Sequence, residues 1–428
     1  MKIRIALTLM LLATTLPSLA EEASTTSFWT RDKALGDIGG ARSGLGAHGI
    51  GVDLRLSQYY QGVTSGGRDT NAEYGGTMDY RINVDMKKLA GFWDGLSVQM
   101  HARTRFGNDI LSDAGGMTMP NTGLLMPLPG NYDGTDVTGL LVNQTFAVGE
   151  EHIGLFTAGK IDILDAVTLF FPSVTYGQEG FLNVHSLVSA LPWFGAVNGL
   201  SLYGGWLATV NKEYQIGQSA VLVTGTENVT TTMDISDSFD DGVWIAAFHR
   251  FLYKWNDMPG YVMIFGGFST RDQPSNDPHD FVIIPGQGIV DTEEEKPWDI
   301  AAYLSQVFWQ ADGDPSRKAT VLIGGTAGPD DPQFAQYNFF TAVEAYGPMA
   351  SRPHDRVGVS FWYNWLSDEF EDLVSPPADL QNLYGFEIYY NAAINKWLHV
   401  TADLQLIENE FERDDFAVVP GVRMVVDF

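Results

Sequence analysis

Seven basic residues, Arg55, Arg81, Arg103, Arg105, Lys160, Arg356 and Arg423, sit at spacings that place each on the polar face of an alternating stretch. Asp53, Asp79, Asp85 and Asp162 fall on the same faces. Two chemistries are open to such a set. One is mutual neutralisation in a crowded interior. The other is an array that orders polar, hydroxyl-rich solutes, because arginine presents a planar fork of N–H donors and a carboxylate accepts only. Arg81, Arg103 and Arg105 lie on neighbouring stretches, and their spacing predicts that at least one guanidinium stays available to a solute. Covalent chemistry finds no footing. There is no cysteine, and no G-x-S-x-G, H-E-x-x-H, P-loop or dinucleotide fingerprint occurs. His185-Ser186 lacks a recognisable base and orienter, and the remaining histidines are scattered. The sequence therefore assigns no catalytic residue, no metal ligand and no cofactor.

These faces need strands to carry them. The last stretch is the clearest: Val418, Pro420, Val422, Met424 and Val426 are apolar, while Gly421, Arg423, Val425 and Asp427 form the other face. An edge strand ending a soluble sheet would be a pairing liability, whereas a strand that closes a barrel leaves no edge. Ile50–Ser57 alternate in the same way, as do residues 77–86 and 96–106. Further strands read at 138–148, 152–162, 199–210, 243–252, 261–269, 298–309, 319–326, 337–346, 356–366, 384–394, 397–407 and 417–428. One more, near 215–224, restores the alternation of short turns with long loops and makes sixteen. The fold expected is all-β: a transmembrane antiparallel barrel of sixteen strands with both termini periplasmic. The long connection 163–198 holds Phe170, Phe171, Phe181, Trp193 and Phe194. So apolar a loop is expected to fold into the pore, as a structural plug, as an aromatic surface on which Trp193 and Phe194 meet a solute, or as both.

The ends and the composition agree with an envelope protein. Lys2 and Arg4, the apolar run 5–16 and Ser18-Leu19-Ala20 read as a signal peptide over residues 1–20. Residues 21–48 form a periplasmic leader, and 49–428 a single barrel domain. The chain carries 25 basic and 53 acidic residues, a net charge of −28, which excludes a nucleic-acid partner. Much of the acid falls in expected outer loops, at 237–241, 293–295, 330–331, 368–372 and 408–415. Those runs read either as solvated loops or as carboxylates bridged by divalent cations. Mean hydropathy is −0.06 with 12% aromatics and 46 glycines, and no later run reaches transmembrane-helix length. Barrel strands reconcile those facts, since alternation hides their hydrophobicity.

Four segments carry a family likeness. Gly36-Asp37-Ile38-Gly39-Gly40-Ala41-Arg42 resembles the Gly-Asp-Trp-Gly-Gly-x-Arg segment that precedes the first strand of the carbohydrate-selective outer-membrane porins (the glucose/carbohydrate porin B type). Gly159-Lys160-Ile161-Asp162 is similar to their Gly-Arg-x-Asp, and Ala402-Asp403-Leu404-Gln405 to their Pro-Asp-Leu-Gln. Gly421-Val422-Arg423 with the terminal Phe428 resembles their last strand. Ile38, Lys160 and Ala402 depart from the family's pattern. The resemblance implies a sixteen-stranded outer-membrane barrel that passes glucose-like mono- and oligosaccharides by facilitated diffusion, embedded in lipid and lipopolysaccharide. The pore-lining residues expected are Arg55, Asp79, Arg81, Arg103, Arg105, Lys160, Asp162, Trp193 and Phe194. A general diffusion porin for small polar solutes is the alternative, an outer-membrane enzyme or a soluble binding protein lesser ones, and a single barrel or a homotrimer is left open.

Overall fold

The computed structural model describes residues 27–170, 179–186, 188, 199–284, 288–291, 294–375 and 378–428. Sixteen long strands close one antiparallel sheet, and a three-residue strand, Ser65–Gly67, adds to the last of them at the rim. The first eight long strands are β1 (Ile50–Gly62), β2 (Ala72–Asp85), β3 (Leu96–Gly107), β4 (Gly134–Val148), β5 (His152–Asp162), β6 (Ser201–Asn211), β7 (Ile216–Gly225) and β8 (Val243–Trp255). The second half comprises β9 (Met258–Ser269), β10 (Trp298–Ala311), β11 (Asp314–Ala327), β12 (Ala335–Tyr346), β13 (Arg356–Leu366), β14 (Leu383–Ala393), β15 (Leu398–Glu408) and β16 (Asp415–Asp427). β16 pairs with β1 from Arg55 opposite Asp427 to Gln61 opposite Gly421, so the sheet has no edge. The strand inserted near 215–224 to restore alternation is β7.

Turn chemistry explains the tight end of the barrel. Asn256 and Asp257, with φ of 50° and 61°, form the whole connection between β8 and β9. A two-residue hairpin of this hand needs both residues left-handed, and Asn and Asp tolerate that best. Gly313 (φ 75°) serves the β10–β11 turn likewise.

The outer face carries a band of exposed Val142, Leu207, Val221, Ile264, Ile300, Val359, Ile388 and Val422. Exposed aromatics flank that band at both rims: Trp93, Phe146, Trp255 and Trp309 at the turn end, Tyr60, Phe268, Tyr337 and Trp365 at the loop end. An apolar belt between two aromatic girdles is what a bilayer demands of a barrel.

Residues preceding β1 pack at the turn end. Phe28 and Trp29 meet the Trp397 ring at 4.8 and 6.2 Å. The Ala34 N–H donates to the Asp427 carbonyl (2.8 Å). A short helix, α1 (Ala41–Ala47), follows the glycine-rich segment. Asp37 accepts there from Ser43 N and Oγ, both at 2.7 Å, and Arg42 Nη2 donates to the Phe428 carbonyl at 2.7 Å. Gly36, Gly39 and Gly40 all have positive φ, as has Ile38 at 50°, a conformation that a β-branched residue adopts only under strain.

Candidate pore lining

The lumen has two unlike halves. Inward positions of β6–β12 are largely apolar, with Trp206, Leu222, Trp244, Phe248, Met263 and Phe340 all buried, and Arg250, Asp299 and Glu344 are buried charged groups among them. Against β7–β9 lies a helix from the long connection after β5, α2 (Ile163–Phe170). Its Ile163, Ala166 and Val167 face Ala220, Leu222, Trp244 and Phe248 across a cavity of about 30 Å³. Asp162 starts the helix, its Oδ1 accepting from Leu164 N at 3.0 Å. The same connection then reaches the opposite wall. Glu387 on β14 accepts from the N–H groups of Leu182 and Asn183 and from Ser186 Oγ. Arg423 on β16 donates to the Gly180 carbonyl (2.8 Å), and the Phe181 ring meets Tyr389 edge-on at 4.8 Å. His185 and Ser186 share no proton path: His185 Nε2 bonds the Met117 carbonyl, its ring tilted on Trp362.

Between this crossing segment and the wall lies a charged lining. The carboxylate of Glu179 is shared by Arg356 (2.7 Å) on β13 and Arg55 (3.6 Å) on β1. Burial pushes the Glu179 carboxyl up, but Arg356 and Arg55 outweigh it and hold it below the usual range. Arg55 also makes a two-point contact with Asp427, at 2.5 and 2.8 Å. The Arg356 guanidinium lies over the Tyr346 ring at 4.6 Å. Arg81 on β2 faces Asp165 of α2 at 3.6 Å. Side chains of Arg55, Arg81, Arg356, Glu179 and Asp165 are all 16–22% exposed, enough to meet a solute in the lumen.

Behind that lining is a sealed network. His101 on β3 contacts Asp79 through Nε2 (2.8 Å) and Asp165 through Nδ1 (2.8 Å). Carboxylates only accept, so both contacts together place a hydrogen on each ring nitrogen. Arg103 Nε donates to Asp79 at 2.6 Å. Arg81, Arg103 and protonated His101 thus balance Asp79, Asp162 and Asp165. His101, Asp162 and Asp165 bring one ligand atom each within 4.8 Å of one another. That spacing would also suit a divalent ion, but the two guanidinium groups beside it supply the positive charge.

Several expected lining residues stand elsewhere. Asp79, Arg103, Arg105 and Asp162 are buried, not lumen-facing, because α2 and the 108–133 connection fold over that wall. Arg105 is turned to Asp109 (2.8 Å) and the Leu128 carbonyl (2.7 Å). Arg81, Arg103 and Arg105 each meet a carboxylate, and of the three it is Arg81 whose side chain stays partly exposed. Lys160 lies on the other register. It pairs with Leu140 and Tyr203, in line with the exposed Val142 and Phe156 of the outer wall. Trp193 and Phe194 lie outside the described residues. Glu179 and Asp165 were not foreseen, since a loop has no periodicity from which a direction can be read.

A family model described as carbohydrate-selective porin, OprB family, matches residues 69–428. The chain belongs to this family. The porin is an outer-membrane carbohydrate channel of the Gram-negative envelope, not an enzyme. Among solved structures it is similar to the high-pH form of Pseudomonas putida OprB, with a TM-score of 0.75, 16% identity, and 94% of this chain and 100% of that chain covered. The low-pH form of the same protein gives a TM-score of 0.55, 16% identity, and coverage of 93% and 99%. Salmonella typhi OmpF in complex with daunomycin gives 0.50, 13% identity, and coverage of 89% and 98%. At such identities the likeness is one of fold. No curated protein matches the sequence.

Proposed function

We propose that the porin passes glucose-like mono- and oligosaccharides into the periplasm by facilitated diffusion, through the gap lined by Arg55, Arg81, Arg356, Asp165 and Glu179. The observation that carries this reading is the Glu179 carboxylate held between Arg55 and Arg356, all three partly exposed. Paired donors and acceptors along one gap match the hydroxyls of a sugar, which both donate and accept. Their opposite charges sum to little, so ions gain less there than neutral polyols do. A charge-assisted hydrogen bond is worth roughly 1.5–3 kcal/mol when shielded and less in a wet pore. A few such bonds give roughly millimolar affinity, weak enough for release. The long loops then face outward and the short turns, with both termini, face the periplasm. Lipopolysaccharide surrounds the barrel on its outer side, and single barrels or homotrimers would present the same gap. Liposome swelling tests the reading: hexoses should enter faster than amino acids of similar mass. A single curve set by solute size alone would point instead to a general diffusion porin.

A further inference from the structure

Lys160 is a cation on the lipid-facing register of β5, two residues before the strand ends at the loop rim. A lysine turned to lipid is unfavourable unless its head reaches water or polar partners. Its head is neither in water nor ion-paired: the side chain is buried, and no carboxylate lies within ion-pair distance of it among the described residues. Instead the connection between β7 and β8, residues 226–242, lies over it. Lys160 Nζ donates to the carbonyls of Thr232 (2.6 Å) and Thr230 (3.2 Å). Tyr203, the outward neighbour of Lys160 on β6, donates its hydroxyl to the Met233 carbonyl at 2.9 Å. The loop is therefore fixed to the outside of the wall, not over the lumen.

Among the mostly polar side chains that this loop exposes, three are large and apolar. Met233 is 48% exposed, Ile235 56% and Phe239 45%, while Asp234, Asp237, Asp240 and Asp241 alternate with them. Three large apolar groups within seven residues are unfavourable in water. Leu207, Val221 and Val223, on the lipid-facing side of β6 and of β7, the strand that leads into this loop, are exposed as well. We propose that residues 226–242 form a membrane-surface anchor, pinned by Lys160 and Tyr203, whose Met233, Ile235 and Phe239 enter the outer leaflet at the headgroup–acyl boundary. The loop continues the lipid-facing wall beyond the last strand residue, and its backbone carbonyls solvate the lysine that the wall would otherwise present to lipid.

Because the chain lacks cysteine, Ile235→Cys gives a single attachment point for a nitroxide in the full-length folded porin. Reconstituted into phosphatidylethanolamine–phosphatidylglycerol vesicles, the label should be relaxed more by oxygen than by a water-soluble nickel complex, as at Val221→Cys on the barrel wall. A label at Asp257→Cys, in the β8–β9 turn, should show the opposite order. Nickel dominance at position 235 would place the loop in water and overturn the proposal. Shielding from both relaxers, with cross-linking between barrels, would assign the face to a second copy and overturn it equally. In a Lys160→Met background the label should gain mobility, and an unchanged spectrum would show that Lys160 does not pin the loop. Folding of each variant is checked by heat-modifiable migration before the label is read.

Discussion

Arg103 and Arg356 illustrate how two arginines of one lumen do different work. Arg103 is fully buried against Asp79, so Arg103→Ala removes one of the two cationic side chains bonded to that carboxylate, the other being His101. Removing one partner of a buried pair costs about 3–5 kcal/mol. The variant should therefore lose its folded gel form at lower temperature or urea, with little change in the selectivity of the channels that remain. Arg356 is partly exposed, and Arg356→Ala should change stability by about 1 kcal/mol or less while lowering sugar preference. Denaturant titration and sugar block of the single-channel current separate the two effects, and equal stability loss in both variants would contradict the assignment. The sequence made the polar faces of β1, β2 and β3 legible, and with them Arg55, Arg81 and Arg103 as inward residues. It did not show which of them water reaches, because that depends on α2 and the 108–133 segment, whose packing carries no periodic signal. Lys160 was misplaced for a related reason. Thr157, Ala158 and Gly159 ahead of it are small and show no clear alternation from which a face can be read, although the pairing of β5 runs unbroken from His152 to Asp162.

At the scale of elements, the lumen-crossing connection after β5 decides the aperture. Asp165 ties its first turn to β2 and β3, Glu179 its middle to β1 and β13, and Leu182–Ser186 its far part to Glu387. His185 makes that attachment sensitive to acid. Burial pushes its ring down to about 4, against an ordinary value near 6.5. When the segment leaves the wall His185 enters water and takes up a proton below about pH 6.5, so the released form binds more protons than the attached form. Attachment therefore weakens as pH falls from about 6.5 towards about 4, by at most about 3 kcal/mol for this group. Open-channel current noise should rise over that interval, and His185→Phe should remove the part of the rise due to this ring. An identical pH profile in the variant would show that other groups control the segment. The largely apolar inner face of β6–β12 was not legible in sequence, because a stretch apolar on both faces shows no alternation. Residues such as Trp244 and Leu222 gain meaning only once α2 is seen to lie on them.

At the scale of the whole molecule, the barrel was legible almost strand by strand, since alternation and connection length are both local in sequence. β5 and β13 run over the residues expected, and the other strands differ mainly at their ends, where pairing continues past the last clearly alternating residue. Closure by β16 gives a direct test of which face meets lipid. Val422 is half exposed on the outer wall between Tyr60 and Ala402, and Val422→Asp should cost about 2 kcal/mol in the membrane and deplete the folded band, while Val422→Leu should not. Equal assembly of both would place the wrong face outward.

The central claim is that sugars pass through the charged gap where Glu179 is shared by Arg55 and Arg356. Single-channel recording in a planar bilayer, with a neutral hexose added to one side, tests it most directly by comparing the parent with Glu179→Gln. The parent current should be interrupted by sugar in a saturable way, and Glu179→Gln should conduct as an open barrel with block weakened about tenfold, the effect of losing one interaction of about 1.4 kcal/mol. Saturable block of equal strength in both channels, or no block in the parent, would contradict the account.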